Sequence, residues 1–262
     1  MQDGQDNGPN ARSLRGLGGV SQFASDVVAR LVDREALPET ALRDDLILRF
    51  MDVVVRPDAG CFDGLKADLR RARISSMTFA DRYIPEIARR LGQAWVDDCM
   101  SFADVTMGTA RLQGILREIG ADWVSDARSE DMGTILLILP AGEQHTLGAL
   151  VLMGQLRRRG ISVCLRIGPT DADLRHLLSQ RTFDGAFVSG GQVAMLAVCQ
   201  RLVTTLKDLT NGHMAVAVGG AMLELLPKPC HIKGADAVTN DMTDALSALG
   251  LTRVIAQTYE YN

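Results

Sequence analysis

No run in the 262-residue sequence approaches the roughly 18 consecutive apolar residues that a membrane-spanning helix requires, so no transmembrane segment is expected. The opening stretch MQDGQDNGPNARS has no apolar core and does not read as a secretory signal. Positive charge is not in excess: 28 Lys and Arg stand against 32 Asp and Glu, a net charge of −4. That balance argues against a protein whose main work is coating nucleic acid, and leaves a local basic patch open. The cysteines are few, odd in number and far apart (Cys61, Cys99, Cys164, Cys199, Cys230), with no CxxC pair. They are expected to be reduced, mostly buried thiols of a cytoplasmic protein. Also missing are a GxxxxGK[ST] phosphate loop, a GxGxxG after the first strand, HExxH, GxSxG and an EF-hand loop. A phospho-receiver domain needs an acidic pocket at its strand ends, and the first and third strands here end in Pro140-Ala141-Gly142 and Ser189.

What is present is ordinary globular material: 47% hydrophobic and 23% charged residues, enough for a core. At roughly 150 residues per domain, the length predicts one large domain or two small ones. Residues 1–20, rich in Gly, Asn, Gln and Asp, read as a disordered tail with no room for a winged-helix DNA-binding module. Residues 21–127 carry a helical signal. Phe79, Tyr83, Ile87, Leu91 and Trp95 recur every four residues and share one helix face. Thr78 with Asp81, and Ser101 with Asp104, fit helix-start boxes, and Pro57-Asp58-Ala59-Gly60 is a turn. Helices are predicted near 41–55, 61–72, 79–97 and 102–125, packed as an antiparallel bundle, with 21–36 as a further helix.

After a polar linker at Ala127–Asp131 the texture changes. Strand-like runs at Ile135–Leu139, Ile161–Ile167, Ala186–Val188, Met214–Val218 and Ala237–Val238 alternate with helices at Leu147–Arg158, Asp171–Gln180, Val193–Leu209, Met222–Leu226 and Met242–Leu249. This alternation predicts a doubly wound, Rossmann-like parallel sheet over 133–250, followed by a C-terminal tail at 251–262. The fold class is α/β, a helical bundle followed by that sheet, with the binding site beyond the C-terminal strand ends.

At those ends the sequence places Pro140-Ala141-Gly142-Glu143-Gln144-His145-Thr146-Leu147-Gly148, then Ser189-Gly190-Gly191, then Gly219-Gly220. His145 sits on a loop from which an imidazole can point over the sheet edge. A ligating histidine usually gives its other ring N–H to a carboxylate, and Glu143 is placed to accept it. Gly148 lets backbone approach a large ligand, the glycine pairs open a narrow channel, and the Ser189 hydroxyl can hydrogen-bond a heterocycle held there. One histidine with one carboxylate does not hold a free metal ion tightly. It can supply one axial ligand to a metal already held by a macrocycle.

Glu143-x-His145-x-x-Gly148, Ser189-Gly190-Gly191 and Gly219-Gly220, at these spacings, resemble the cobalamin-binding domain of methionine synthase, the mutases and the corrinoid proteins. The family pattern is Asp/Glu-x-His-x-x-Gly, then Ser-x-Leu, then Gly-Gly; here Gly191 stands where Leu is frequent. The resemblance implies that His145 replaces the dimethylbenzimidazole as lower cobalt ligand and that the displaced tail runs past Ser189 and Gly219-Gly220. The helices resemble the cap over the upper corrin face. In the adenosylcobalamin photoreceptors a Trp-x9-Glu-His motif packs around the adenosyl group. Trp95 is present, with Val105 and Thr106 at the other two positions, which favours hydroxocobalamin over adenosylcobalamin. The layout looks most like the AerR/PpaA group of photosynthesis-gene antirepressors. That likeness implies a light-responsive, non-enzymatic regulator acting on a partner repressor. The alternative the resemblance leaves is a corrinoid methyl carrier; haem, which gives the tail residues no role, ranks last.

Other residues have plainer readings. The stripe Phe79, Tyr83, Ile87 and Leu91 is bundle core, and Met100 and Met107 are gap-fillers. Arg70-Arg71-x-Arg73, Arg89-Arg90 and Arg157-Arg158-Arg159 read as solvated helix faces, with contact to DNA or a partner left open. His176, His213 and His231 lack neighbouring ligands and read as structural or surface histidines.

Overall fold

Apolar residues at helical spacing build the first half of the molecule. A computed structural model describes residues 41–56, 61–126 and 132–251. The expected tails, the 21–36 helix, the Pro57–Gly60 turn and the linker lie outside those residues. Helix α1 (Asp44–Val55) turns Leu46, Ile47, Phe50, Met51 and Val54 inward, an i, i+1, i+4, i+5 face. It is followed by α2 (Cys61–Ala72), α3 (Ile84–Val96) and α4 (Phe102–Asp126). A short helical turn (Ser76–Thr78) and a π-helical run (Phe79–Tyr83) lead into α3. Pro85 has no N–H to give the carbonyl of residue 81, and the widened π turn takes up that break, with Ile84 N–H reaching Phe79 O instead.

The helix starts earlier than the Thr78–Asp81 box predicts. Ser75 is the cap, its Oγ accepting from Thr78 N–H at 3.0 Å, and Asp81 is engaged elsewhere. Ser101 and Asp104 do form the reciprocal box that opens α4, at 3.2 and 3.3 Å. Phe50, Phe79 and Tyr83 pack ring against ring at 5.0, 6.4 and 6.1 Å in the bundle core, with Ile87, Leu91 and Leu112 fully buried around them. Trp95 leaves the stripe: it is 49% exposed.

The second half is a five-stranded parallel sheet of order β2-β1-β3-β4-β5. Its strands are β1 (Thr134–Leu139), β2 (Ser162–Ile167), β3 (Gly185–Ser189), β4 (Ala215–Gly219) and β5 (Ala237–Val238). Helices α5 (Leu147–Arg158), α6 (Asp171–Gln180), α7 (Leu196–Leu209) and α8 (Met242–Ala248) alternate with them. Leu136 and Ile138 point to the face covered by α6 and α7; Ile135, Leu137 and Leu139 point to the face covered by α5 and α8. Burial on both faces is why β1 is apolar from Ile135 to Leu139. A capping box between Thr170 and Asp173, which the sequence reading did not single out, opens α6.

Helix α5 belongs to both halves. Leu147 and Val151 lie in the bundle core, while Ala149 and Leu156 lie in the core beneath the sheet. The junction corrects one expectation about the arginine runs. Arg158 is not on a solvated face: its Nη2 reaches both Asp81 carboxylate oxygens at 2.6 Å. Burial and the adjacent Arg158 charge push the Arg159 guanidinium down. In the other runs, Arg71 pairs with Asp68, and Arg89 and Arg90 pair with Glu86. The thiols are more varied than expected: Cys199 is buried, Cys164 and Cys230 are half-buried and Cys99 is exposed. No helix among the described residues is long and apolar enough to cross a membrane.

Candidate functional site

From β1 the chain moves first to β2 on one side and then to β3 on the other, so strand order reverses between β1 and β3. The loops leaving these two strands diverge and open a crevice at their carboxyl ends, the usual ligand position in such sheets. Glu143 bridges it. Its side chain is 1% exposed. Oε1 accepts the backbone N–H of His145 at 2.7 Å and faces its Nδ1 at 2.8 Å, while Oε2 accepts the N–H of Gly191 at 2.6 Å. Burial works against the charged carboxylate and is the largest single effect. The Gly191 N–H, the His145 N–H and the imidazole together outweigh it, and hold Glu143 below the usual carboxylate range.

A carboxylate facing Nδ1 makes that nitrogen the protonated one, which leaves the Nε2 lone pair directed away from Glu143. The His145 side chain is 55% exposed, and Nε2 has no partner among the described residues. No group of three or more His, Cys, Asp or Glu capable of holding a metal ion occurs among the described residues. The donor set is one outward imidazole nitrogen with an anion fixed behind it.

The glycines divide into two kinds. Gly148 faces open space, with nothing within 4 Å of where a Cβ would be. Gly191 lies directly behind the histidine: a Cβ there would stand 2.6 Å from His145 Cβ, 2.8 Å from Cγ and 2.9 Å from Nδ1. Position 191 is glycine because the imidazole rests on it. Gly190 is packed against Met222 and Cys199, Gly219 against Thr239 and Asn240, and Gly220, at φ +105°, so close to Gly190 that a Cβ would collide with its backbone. These three draw the ends of β3 and β4 together. Asn240, which sequence reasoning missed, clamps Gly220 by accepting its N–H at 2.7 Å and donating to its carbonyl at 3.3 Å. Burial, then the Glu143 charge, push the Cys199 thiol up to about 11, so it is inert packing.

Ser189 ends β3 opposite Gly219 in register, half-buried, and its hydroxyl has no partner among the described residues. Exposed Ile167 is the last residue of β2, and exposed Val193 and Leu225 follow the ends of β3 and β4, giving this edge an apolar rim. The bundle approaches it. Arg89 on α3, held charged chiefly by its link to Glu86, also lies within electrostatic reach of Glu224 after β4. The structure thus brings together Glu143, His145, Ser189, Gly190, Gly191, Gly219 and Gly220, with Gly148 one turn beyond. Trp95 is outside this network. It stacks edgewise on Phe102 at 6.0 Å and lines a shallow concavity with Asp98–Phe102 and Asp104 at the α3–α4 corner.

The class of architecture has a counterpart among solved structures. A monomethylamine corrinoid protein from Methanosarcina barkeri superposes with a TM-score of 0.59, over 81% of this chain and 100% of that one, at 12% identity. That likeness is one of fold: helices followed by a Rossmann-like sheet. A cobalamin-binding protein from Desulfitobacterium hafniense matches over 81% of this chain and 99% of its own, at 15% identity and a TM-score of 0.37. No protein-family model matches the chain. The chain belongs to the family of the uncharacterized 20.5 kDa protein encoded in the bchF–crtJ intergenic region of Rhodobacter capsulatus, with 40% identity over 190 residues, 72% of this chain and 99% of that protein.

Proposed function

We propose that this protein binds cobalamin, with His145 as lower axial cobalt ligand, and acts as a light-responsive antirepressor through a partner repressor. The observation that carries the cofactor reading is the Glu143–His145–Gly191 arrangement at the β1/β3 crevice, which leaves Nε2 directed outward. A single imidazole backed by a carboxylate suits a metal whose remaining ligands would come largely from a macrocycle. Around it, Gly148 leaves space for a flat ligand, the apolar rim supplies surface for it to cover, and the Ser189 hydroxyl is available to a heterocyclic tail. The fold shared with the monomethylamine corrinoid protein supports the same reading.

When bound, cobalamin would supply a cobalt whose upper ligand is exchangeable, by light among other means. The chain's own residues hold and orient. Glu143 fixes the tautomer and direction of His145, Gly191 supports the ring from behind, and Gly190, Gly219 and Gly220 fix the strand ends. The bundle packed against α5 is the element that a change at a bound cofactor would reach, and Trp95 with Phe102 would offer it aromatic surface. The 40% identical relative is encoded between bchF and crtJ, a position in keeping with control of photosynthesis genes, and this supports the antirepressor over the methyl carrier. The corrinoid fold neighbour keeps the carrier as the second reading.

The test is an absorption spectrum after incubation with hydroxocobalamin or adenosylcobalamin, in dark and light, before and after desalting, with His145→Ala in parallel. Retained cobalamin with a shifted spectrum in the wild type, lost in the variant, is expected. A colourless wild-type protein after desalting overturns the reading. Partner affinity that ignores both light and cofactor overturns the antirepressor role, and methyl transfer with a cognate transferase replaces it by the carrier.

A further inference from the structure

Thr146 breaks a local rule. A threonine at the N-cap of a helix ordinarily turns its side-chain oxygen to an N–H of its own first turn. Thr146 is the N-cap of α5 and makes no such bond. Its Oγ1 instead accepts the Nε2–H of Gln113, 33 residues away on α4, at 2.9 Å. Both side chains are half-buried, where a hydrogen bond persists without full competition from water. Thr146 directly follows His145, and its carbonyl receives the N–H of Leu150, at 3.1 Å, to open the helix. The loop carrying His145 is therefore held by Glu143 and Gly191 at the sheet edge and by Gln113 from the bundle. At its far end α5 is tied to the bundle again by Arg158 and Asp81, and Leu147 and Val151 between them lie in the bundle core.

The geometry points to Gln113 as a positioning residue for His145, its hydrogen bond to Thr146 coupling the ligand loop to helix α4 of the bundle. The inference rests on the cobalamin reading above. A displacement of α4 along α5 breaks the bond or carries with it the residue next to the axial ligand. Ligation at Nε2 is thereby linked to bundle position through one neutral contact that can be removed without altering any group of the Glu143–His145–Gly191 set. A coupling of this kind is reciprocal: what favours this position of the bundle also tightens ligand binding, and ligand binding favours this position of the bundle.

The full-length protein is compared with Gln113→Leu, Thr146→Val, Thr146→Ser and the Gln113→Leu/Thr146→Val pair. Two quantities are read: the rate of hydroxocobalamin loss after desalting, by absorbance, and hydrogen exchange of α4 amides with and without hydroxocobalamin. Unfolding midpoints of the cofactor-free proteins establish that each variant is folded. Gln113→Leu and Thr146→Val are expected to release cofactor about fivefold faster, the loss of one neutral hydrogen bond. The double variant is expected to be no faster, because the two residues act as one pair. Thr146→Ser, which keeps the hydroxyl, is expected to behave as wild type. Protection of α4 on cofactor binding is lost with the bond and kept in the serine variant. If the wild type binds cobalamin and the single variants match it, or their effects add, the coupling is overturned and the cobalamin reading stands. If the wild type takes up no cobalamin, both fall. Should Gln113→Leu fail to fold, the threonine pair decides alone: valine behaving as serine does overturns the inference.

Discussion

Adding one methyl group at position 191 removes the support behind His145. An alanine Cβ there would sit 2.6 Å from His145 Cβ and 2.8 Å from Cγ, where carbon atoms at rest stand about 3.5–4.0 Å apart. The overlap is about 1 Å on each atom. His145 cannot yield it freely, because its own N–H is fixed to Glu143 Oε1 at 2.7 Å. Either the ring swings off Glu143 or the 190–191 segment retreats and withdraws the Gly191 N–H from Oε2. Each route loses a hydrogen bond to a buried charge, about 1.5–3 kcal/mol. Gly191→Ala is therefore expected to weaken cobalamin binding about ten- to hundredfold, measured by absorbance titration with hydroxocobalamin. Gly148→Ala is the comparison. Its methyl meets nothing, so the cofactor-free protein should keep its unfolding midpoint or gain slightly from the better helix former, while uptake falls because the methyl occupies space offered to the ligand. Wild-type affinity in Gly191→Ala would refute the account of why position 191 is glycine.

Three further outcomes are expected. Glu143 is held below the ordinary carboxylate range, so its contribution to stability is complete above that range and is lost as pH falls through its lowered native value. Thermal unfolding of the cofactor-free protein on acidification should therefore show the gap between wild type and Glu143→Gln closing toward low pH; parallel curves would contradict it. Gly220→Ala, at φ +105° and against the Gly190 backbone, should destabilise by about 1–3 kcal/mol or more in urea unfolding. Arg158→Met leaves Asp81 without this partner at the half-buried bundle junction and should cost about 1.5–3 kcal/mol in the same assay. An unchanged midpoint would place the Arg158–Asp81 pair on the solvated face that the sequence suggests.

The strands and most helices were legible because their signals are local. Ile135–Leu139 is an unbroken apolar run, and the periodic segments Leu147–Arg158 and Asp171–Gln180 became α5 and α6 with those bounds. The π turn was not legible: Phe79 and Tyr83 keep the same spacing in either helical register, and only Pro85 hinted at the break. Glu143 and His145 lie in one loop and Gly148 in the first turn of the helix that follows, so their grouping could be read from spacing. What Gly191 does could not, since its contact with His145 joins loops from different strands. Arg158 looked like part of a charged surface because Asp81, 77 residues earlier, is invisible to any local pattern. The Gln113–Thr146 bond is hidden for the same reason, and its one local trace is a threonine at an N-cap that does not cap.

Helix α5 is shared by two cores, and this governs how the molecule can come apart. Leu147 and Val151 complete the bundle interior, while Ala149 and Leu156 seal one face of the sheet. A fragment beginning at the first strand would keep α5 and lay bare the stripe the bundle had covered, which favours aggregation over independent folding. The helices alone would lack two of their interior side chains. Heat or denaturant should then unfold both halves in one cooperative step, and neither half lends itself to transplantation without the other.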